Sequence, residues 1–177
     1  MGIAKEVVGV RFGPEKKVQR DMLGSFIAHG LTQEECETQV VIQIFAGSDT
    51  SATTIRMTVL NILGNFRILS KLLAEIDALD LPLEEVISDA QAKRMPYLQA
   101  VIKEGIRYWP AVGGALRRTV PPEGETTNGY FVPGGTDIGM SPYAIQRDKS
   151  FWGEDSDVYR PERYVYTRGL FVYSITH

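Results

Sequence analysis

Two adjacent residues in the first third of the chain, Asp49 and Thr50, form an acid–alcohol pair able to relay protons. They belong to the run Ala46-Gly47-Ser48-Asp49-Thr50-Ser51, which lies inside a segment whose apolar spacing is helical. Helix interiors disfavour these residues: Gly costs about 1 kcal/mol against Ala, and Ser, Asp and Thr compete for backbone hydrogen bonds. One reading is functional, with Gly47 letting a ligand approach the backbone beside Asp49 and Thr50. The other is a helix kink or a crossing point of two helices, since local rule-breaking only suggests function.

Two more clusters carry charge. Glu104 and Arg107, in Glu104-Gly105-Ile106-Arg107, stand three residues apart on one helix face. As an exposed pair they contribute only ~0.2–0.5 kcal/mol. Tyr159-Arg160-Pro161-Glu162-Arg163-Tyr164 places two guanidiniums and a carboxylate within a loop. The single cysteine, Cys36, can close no internal disulfide and build no multi-cysteine metal cage. It reads as a small apolar filler near a helix start.

The elements that must hold these residues can be traced along the chain. Between Lys5 and His29 the pattern predicts two short helical pieces broken at Gly13-Pro14, the second ended by Gly30 at a left-handed position. Thr32-Gln33-Glu34-Glu35 fits a capping box and opens a long helix through Val40, Val41, Ile44, Phe45, Ile55, Val59, Ile62 and Leu63 to Gly64. Some thirty residues of helix span about 45 Å, a length that only a larger body could bury. Ile68, Leu69, Leu72, Leu73 and Ile76 mark an amphipathic helix, with Lys71 and Glu75 expected to pair across one turn of its wet face. Ser88 is a candidate cap, and Pro96 opens a helix that Pro110 stops. Beyond Gly113-Gly114 come the β-prone runs Ala115–Val120, Tyr130–Val132 and Thr136–Met140. The last two are expected to form a hairpin across Pro133-Gly134-Gly135.

The 177 residues are 44% apolar and carry a formal charge of −3, which suits one globular unit and excludes a disordered or collagen-like chain. No basic run is longer than two residues, so nucleic acid is not an expected partner. The start carries Lys5, Glu6 and Arg11, and so reads as neither a signal peptide nor a membrane span.

Taken in order, AGSDTS, EGIR and YRPERY resemble the oxygen-side helix motif, the Glu-x-x-Arg motif and the Phe-x-Pro-Glu-Arg-Phe motif of the cytochrome P-450 family of heme-thiolate monooxygenases. The likeness covers Asp21 to Val165 and is nearest to the fungal members, through GYFVPGGTDIGMSPYAIQRD and GEDSDVYRPER. It implies a mainly α fold with a small β-hairpin or sheet, a partial cytochrome P-450 domain over 1–177 in which 166–177 is an off-pattern tail. It also implies that Asp49 and Thr50 are the oxygen-activation pair, with Gly47 beside the cofactor. Glu104, Arg107 and Arg163 match the family's structural salt-bridge triad. Arg118, in ALRRTVP, matches the arginine that pairs with a heme propionate, a contact suited to a planar two-pronged donor. Two exposed arginines on an edge strand, Arg117 and Arg118, are the alternative. Gln146 stands where the family often has His, and Phe66 where it usually has Pro.

Heme, an NADPH-dependent flavoprotein reductase and a small apolar substrate are implied in the same way, as is the endoplasmic reticulum membrane for the whole enzyme. The chain itself shows no anchor and is expected to be cytoplasmic. The family's Phe-x-x-Gly-x-Arg-x-Cys-x-Gly segment, which supplies the axial thiolate, has no counterpart after Arg163. Cys36 lies four turns before Thr50, roughly 21 Å along the helix, and cannot replace it. The expectation is therefore a truncated gene product or a gene-model fragment lacking the amino-terminal half and the heme-ligating segment; a transcript reading on from Arg163 into a Gly-x-Arg-x-Cys segment marks the second, and one ending at His177 marks a short protein. This chain would be inactive, with helix faces at Val40, Ile44, Val59 and Ile62 short of burial partners and prone to bind dye. The rival function is a non-catalytic helical fragment that binds no heme.

Overall fold

A computed structural model describes residues 2–13, 19–82 and 84–165. The chain divides into two compact units, Met1–Ala52 and Thr53–His177, the division falling within the longest helix. The described residues are mainly helical, with two small antiparallel sheets.

The first unit holds α1 (Gly2–Phe12), α2 (Met22–Ala28) and the leading part of α3 (Gln33–Leu63). Asp21 caps α2, its Oδ1 accepting from Gly24 N at 2.7 Å, and receives Arg11 Nη2 at 2.6 Å, so one carboxylate joins α1 to α2. Gly30 takes φ +86° just after α2. The expected capping box opens α3: Glu35 N donates to Thr32 Oγ1 at 3.3 Å and Thr32 N donates to Glu35 Oε2 at 2.8 Å. Ala4, Val8 and Cys36 are buried.

The second unit is built on α4 (Phe66–Asp77) and α6 (Pro96–Tyr108), with the single turn α5 (Asp89–Ala92) between them. Ile68 and Leu72 of α4, Tyr97 and Val101 of α6, and Tyr159 form its apolar core. Asn65 caps α4 through Ile68 N, so the helix starts cleanly with Phe66 at its first position, out in solvent.

The expected Lys71–Glu75 pair does not form. Lys71 Nζ reaches Glu162 Oε1 at 2.7 Å, and Glu75 accepts from Tyr97 N and Leu98 N at 2.8 Å each. The reason lies at the start of α6. Its N-cap, Met95, offers no side-chain acceptor and Pro96 has no N–H, leaving the next two donors to find an acceptor from outside the helix.

The expected hairpin is also corrected. β3 (Tyr130–Val132) pairs with β2 (Glu125–Thr127), and β4 (Asp137–Met140) pairs with β1 (Leu116–Thr119). Asn128 and Gly129 take φ +52° and +81°, the two positive angles that a tight two-residue hairpin turn needs. Meanwhile Val120 N donates to Thr136 O and Gly135 N to Val120 O, which draws β4 to β1. Three short turns complete the described chain: α7 (Pro142–Ile145), α8 (Lys149–Trp152) and α9 (Glu162–Val165).

The apolar face of α3 is incompletely covered: Ile44 and Val59 are exposed, and Val40 and Ile62 are half-buried. The late part of α3 meets α6 closely at one place. A Cβ on Gly105 would stand 2.1 Å from Thr58 Oγ1 and 3.1 Å from Thr58 Cβ. Gly105→Val should therefore destabilise the chain by about 1–3 kcal/mol, as overpacking does, with partial recovery in a Thr58→Ala background. Urea unfolding followed by circular dichroism reads both, and an unchanged midpoint for Gly105→Val would refute the close contact.

Candidate functional site

On α6, residues 97, 101 and 104 share the face turned to the core, and Arg107 follows Glu104 by one turn. Glu104 is fully buried and Arg107 is 2% exposed. Their contact is two-pronged: Arg107 Nε donates to Glu104 Oε2 at 2.7 Å and Nη2 to Oε1 at 2.8 Å. Spacing alone allows an exposed pair worth a few tenths of a kcal/mol; packing puts these two charges in the interior instead.

A buried guanidinium needs acceptors for all its N–H groups. Arg107 finds them in the carbonyls of Gln146 at 2.6 Å, Ser156 at 2.8 Å and Val158 at 3.2 Å. It also lies over the Trp152 ring, 5.2 Å from the centroid. Glu104 Oε1 accepts in turn from Arg160 N at 2.8 Å and from Arg163 Nε at 3.4 Å. Arg163 continues to Asp155 Oδ1 at 2.6 Å and to the Trp152 carbonyl at 3.0 Å. Residues 146–163 carry little regular structure of their own and are wrapped around these side chains. Tyr159 adds a strut, its hydroxyl donating to Val101 O at 2.8 Å.

The electrostatics describe a clamp and not a proton shuttle. The Arg163 hydrogen bond holds the Asp155 carboxyl below its ordinary value. Burial pushes the Tyr164 hydroxyl up to about 12, with the Glu104 charge adding to the effect, and burial likewise raises Tyr159. Burial opposes the Arg107 charge, but the Glu104 hydrogen bonds and charge outweigh it and raise that guanidinium above its ordinary value.

Motif reading missed a second cluster beside this one. Burial opposes ionisation of Glu162, but the Lys71 ammonium at 2.7 Å and the Arg67 guanidinium at 3.6 Å outweigh it and keep the carboxyl below its ordinary 4.5. Tyr97 OH also donates to Glu162 Oε1 at 3.3 Å, and burial with the Glu162 charge pushes that hydroxyl up to about 12. The available signal was Arg67 and Lys71, four residues apart on α4 and so on one face, awaiting an acid from elsewhere.

The remaining candidate residues sit as follows. Gly47, Asp49 and Thr50 lie on α3 within the first unit, and the helix runs through them unbroken. Gly47 and Asp49 are exposed, and no atom beyond the neighbouring residues and the local helix backbone stands within 4 Å of where a Gly47 Cβ would be. Thr50 is half-buried, and its Oγ1 donates to Ala46 O at 2.8 Å. Arg118 is in the second unit, on β1 opposite Ile138, exposed, with Nη1 donating to Arg117 O at 2.7 Å. Cys36 is buried, and desolvation with the neighbouring Glu35 charge pushes its thiol up, away from a thiolate.

Two measurements probe the clamp. Arg107→Met should cost about 3–5 kcal/mol in urea unfolding because it strands the Glu104 charge, whereas Arg160→Met, at a half-exposed pair with Asp155, should cost under about 1 kcal/mol; equal losses would refute the difference. Glu162 has a lowered folded value, so its contribution is present above the ordinary 4.5 and disappears as pH falls through the lower folded value. Glu162→Gln should be less stable than the parent at neutral pH and flatter in stability as pH falls from neutral through and below 4.5. Parallel pH profiles would argue against the assignment.

The chain matches a known family. The cytochrome P-450 family model matches residues 11–176. The chain is 47% identical over 167 residues to cytochrome P-450 monooxygenase ABA1 of Pyricularia oryzae, covering 93% of this chain and 33% of that protein. It is 42% identical over 170 residues to the aba1 monooxygenase of Botryotinia fuckeliana, with the same coverage. Pisatin demethylase of Fusarium vanettenii is 39% identical over 139 residues, 78% of this chain and 27% of that protein. The crystal structure of a cytochrome P-450 superposes with a TM-score of 0.76 at 24% identity, over 92% of this chain and 38% of the other, a likeness of fold. The chain thus spans about a third of the length of the relatives it matches. With a family match over residues 11–176 and relatives 47% and 42% identical over 93% of its length, this chain belongs to the cytochrome P-450 family.

Proposed function

We propose that the chain is the part of a heme-dependent monooxygenase that forms the oxygen-side helix and the clamp holding the meander, acting in an enzyme that inserts one oxygen atom into an apolar organic substrate. The observation that carries this reading is the buried Glu104–Arg107 pair gathering Arg163 and the carbonyls of Gln146, Ser156 and Val158. When bound, heme supplies the activation of dioxygen, using electrons that originate from NADPH and arrive through a flavoprotein reductase.

The chain's own residues supply position and protons. Arg118 presents an exposed guanidinium from a paired strand, which suits a propionate carboxylate. Thr50, whose hydroxyl donates to Ala46 O, and the exposed Asp49 are the acid–alcohol pair that would order water and deliver protons on the oxygen side. Gly47 keeps the helix surface low there, because no side chain rises from it. Glu104, Arg107 and Arg163 touch no substrate in this reading; they hold the segment that follows α6. Cys36 does not fit the axial sulfur, being buried with its thiol pushed up.

Among the described residues no helix is long and apolar enough to cross a membrane. The endoplasmic reticulum membrane is the location this reading carries for the whole enzyme, with these residues on its aqueous side.

Two experiments test the proposal. Incubated with hemin, reduced and exposed to carbon monoxide, the 177-residue chain should give no thiolate-type Soret band. A thiolate-type band abolished by Cys36→Ser would overturn the assignment of that cysteine. In a full-length form, Thr50→Ala should divert reducing equivalents to peroxide and lower product per NADPH consumed, and unchanged coupling would refute the proton-delivery role.

A further inference from the structure

We infer that Glu75 is a positioning residue for the clamp, acting through α6 on Glu104 and Arg107 from a different helix. The inference deepens the proposed function and depends on it for its meaning, but its physical basis is independent of heme.

The first turn of α6 lacks any cap of its own. Met95 at the N-cap is buried and has no acceptor, and Pro96 has no N–H to satisfy. The next two N–H groups, Tyr97 and Leu98, each donate to a different oxygen of the Glu75 carboxylate at 2.8 Å. One carboxylate thus satisfies both donors and sets a negative charge at the positive end of the helix. It does so from α4, more than twenty residues earlier in the chain.

Position matters because of what α6 carries. Tyr97 and Glu104 are seven residues apart, two turns, so they share a face and lie about 10.5 Å apart along the axis. A tilt at the first turn is carried by a rigid helix to the Glu104 carboxylate, whose hydrogen bonds to Arg107, Arg160 and Arg163 have tolerances of tenths of an ångström. Other contacts reinforce the same alignment. Lys71, one turn before Glu75, binds Glu162 and lies over the Tyr97 ring at 5.6 Å, while Ile68 and Leu72 pack against Tyr97 and Val101. Two polar ties, one to the start of α6 and one to the loop that wraps its end, therefore come from one face of α4. Glu75 is the tie that uses backbone donors, which no packing contact replaces.

The test follows those donors directly, in the 177-residue chain without cofactor, by amide hydrogen exchange and nuclear magnetic resonance. In Glu75→Ala the Tyr97 and Leu98 amides should exchange about tenfold faster, in line with loss of a helix cap, and the Arg107 Nε–H resonance should move or broaden. Asp77→Ala, an exposed acid on the same helix, should leave all three signals in place. If Glu75→Ala fails to fold, Glu75→Gln serves. Glu75→Gln keeps one carbonyl oxygen where the carboxylate has two, so at least one of the Tyr97 and Leu98 amides should exchange faster than in the parent. Unchanged exchange at Tyr97 and Leu98, or faster exchange with an unmoved Arg107 Nε–H, would each overturn the positioning role. None of these readouts involves heme, so their failure is distinct from failure of the monooxygenase reading, which the carbon monoxide and coupling experiments address.

Discussion

The path of residues 146–158 over α6 is organised by the need to keep one buried guanidinium fully hydrogen-bonded. Arg107 cannot lose its charge and cannot reach water, so each N–H group must meet an oxygen. Glu104 supplies two of those oxygens and the charge that offsets the guanidinium; the other acceptors are main-chain carbonyls at 146, 156 and 158. Those carbonyls belong to a stretch with only single helical turns, which has no hydrogen-bond ladder of its own to define its path. The side chain gives that loop its shape. A hydrophobic replacement could fill the same volume, but it could not choose among backbone conformations by pairing with particular carbonyls.

The same logic explains why α4 and α6 are joined by charge as well as by apolar contact. Ile68, Leu72, Tyr97 and Val101 bury surface and bring the helices together, yet apolar packing leaves some freedom of sliding and tilt. Glu75 and Lys71 remove it by engaging, respectively, the open first turn of α6 and the Glu162 carboxylate. At the far side, Gly105 allows α3 to approach so closely that Thr58 stands where a side chain would otherwise be. The clamp thus has a defined seat on either side: acid and lysine from α4, a missing side chain facing α3.

Motif order makes part of the site legible in the chain itself. Three weak segments, AGSDTS, EGIR and YRPERY, point jointly to one family, and the clamp residues among them, Glu104, Arg107 and Arg163, lie together. Residue spacing could not say this, because an i, i+3 acid–base pair looks the same on a wet surface as in a core. The pairing of Glu162 goes unread for a related reason: its partners Arg67 and Lys71 are more than ninety positions away, and only folding makes them neighbours.

The amino-acid sequence alone determined where several helices begin or end. The Thr32–Glu35 box, the Asn65 and Ser88 caps and Gly30 act on backbone groups within three or four residues, so their effect needs no knowledge of the rest of the chain. Tertiary structure decided which charges were buried and which strands paired. Lys71 left its neighbour Glu75 for Glu162, and Glu75 turned to Tyr97 and Leu98, because uncapped donors and a buried carboxylate offered stronger partners than an exposed lysine–glutamate contact. β3 pairs with β2 across the Asn128-Gly129 turn, and β4 pairs with β1. Those choices compare partners distant in sequence, and the comparison exists only once the chain has brought them within hydrogen-bonding reach.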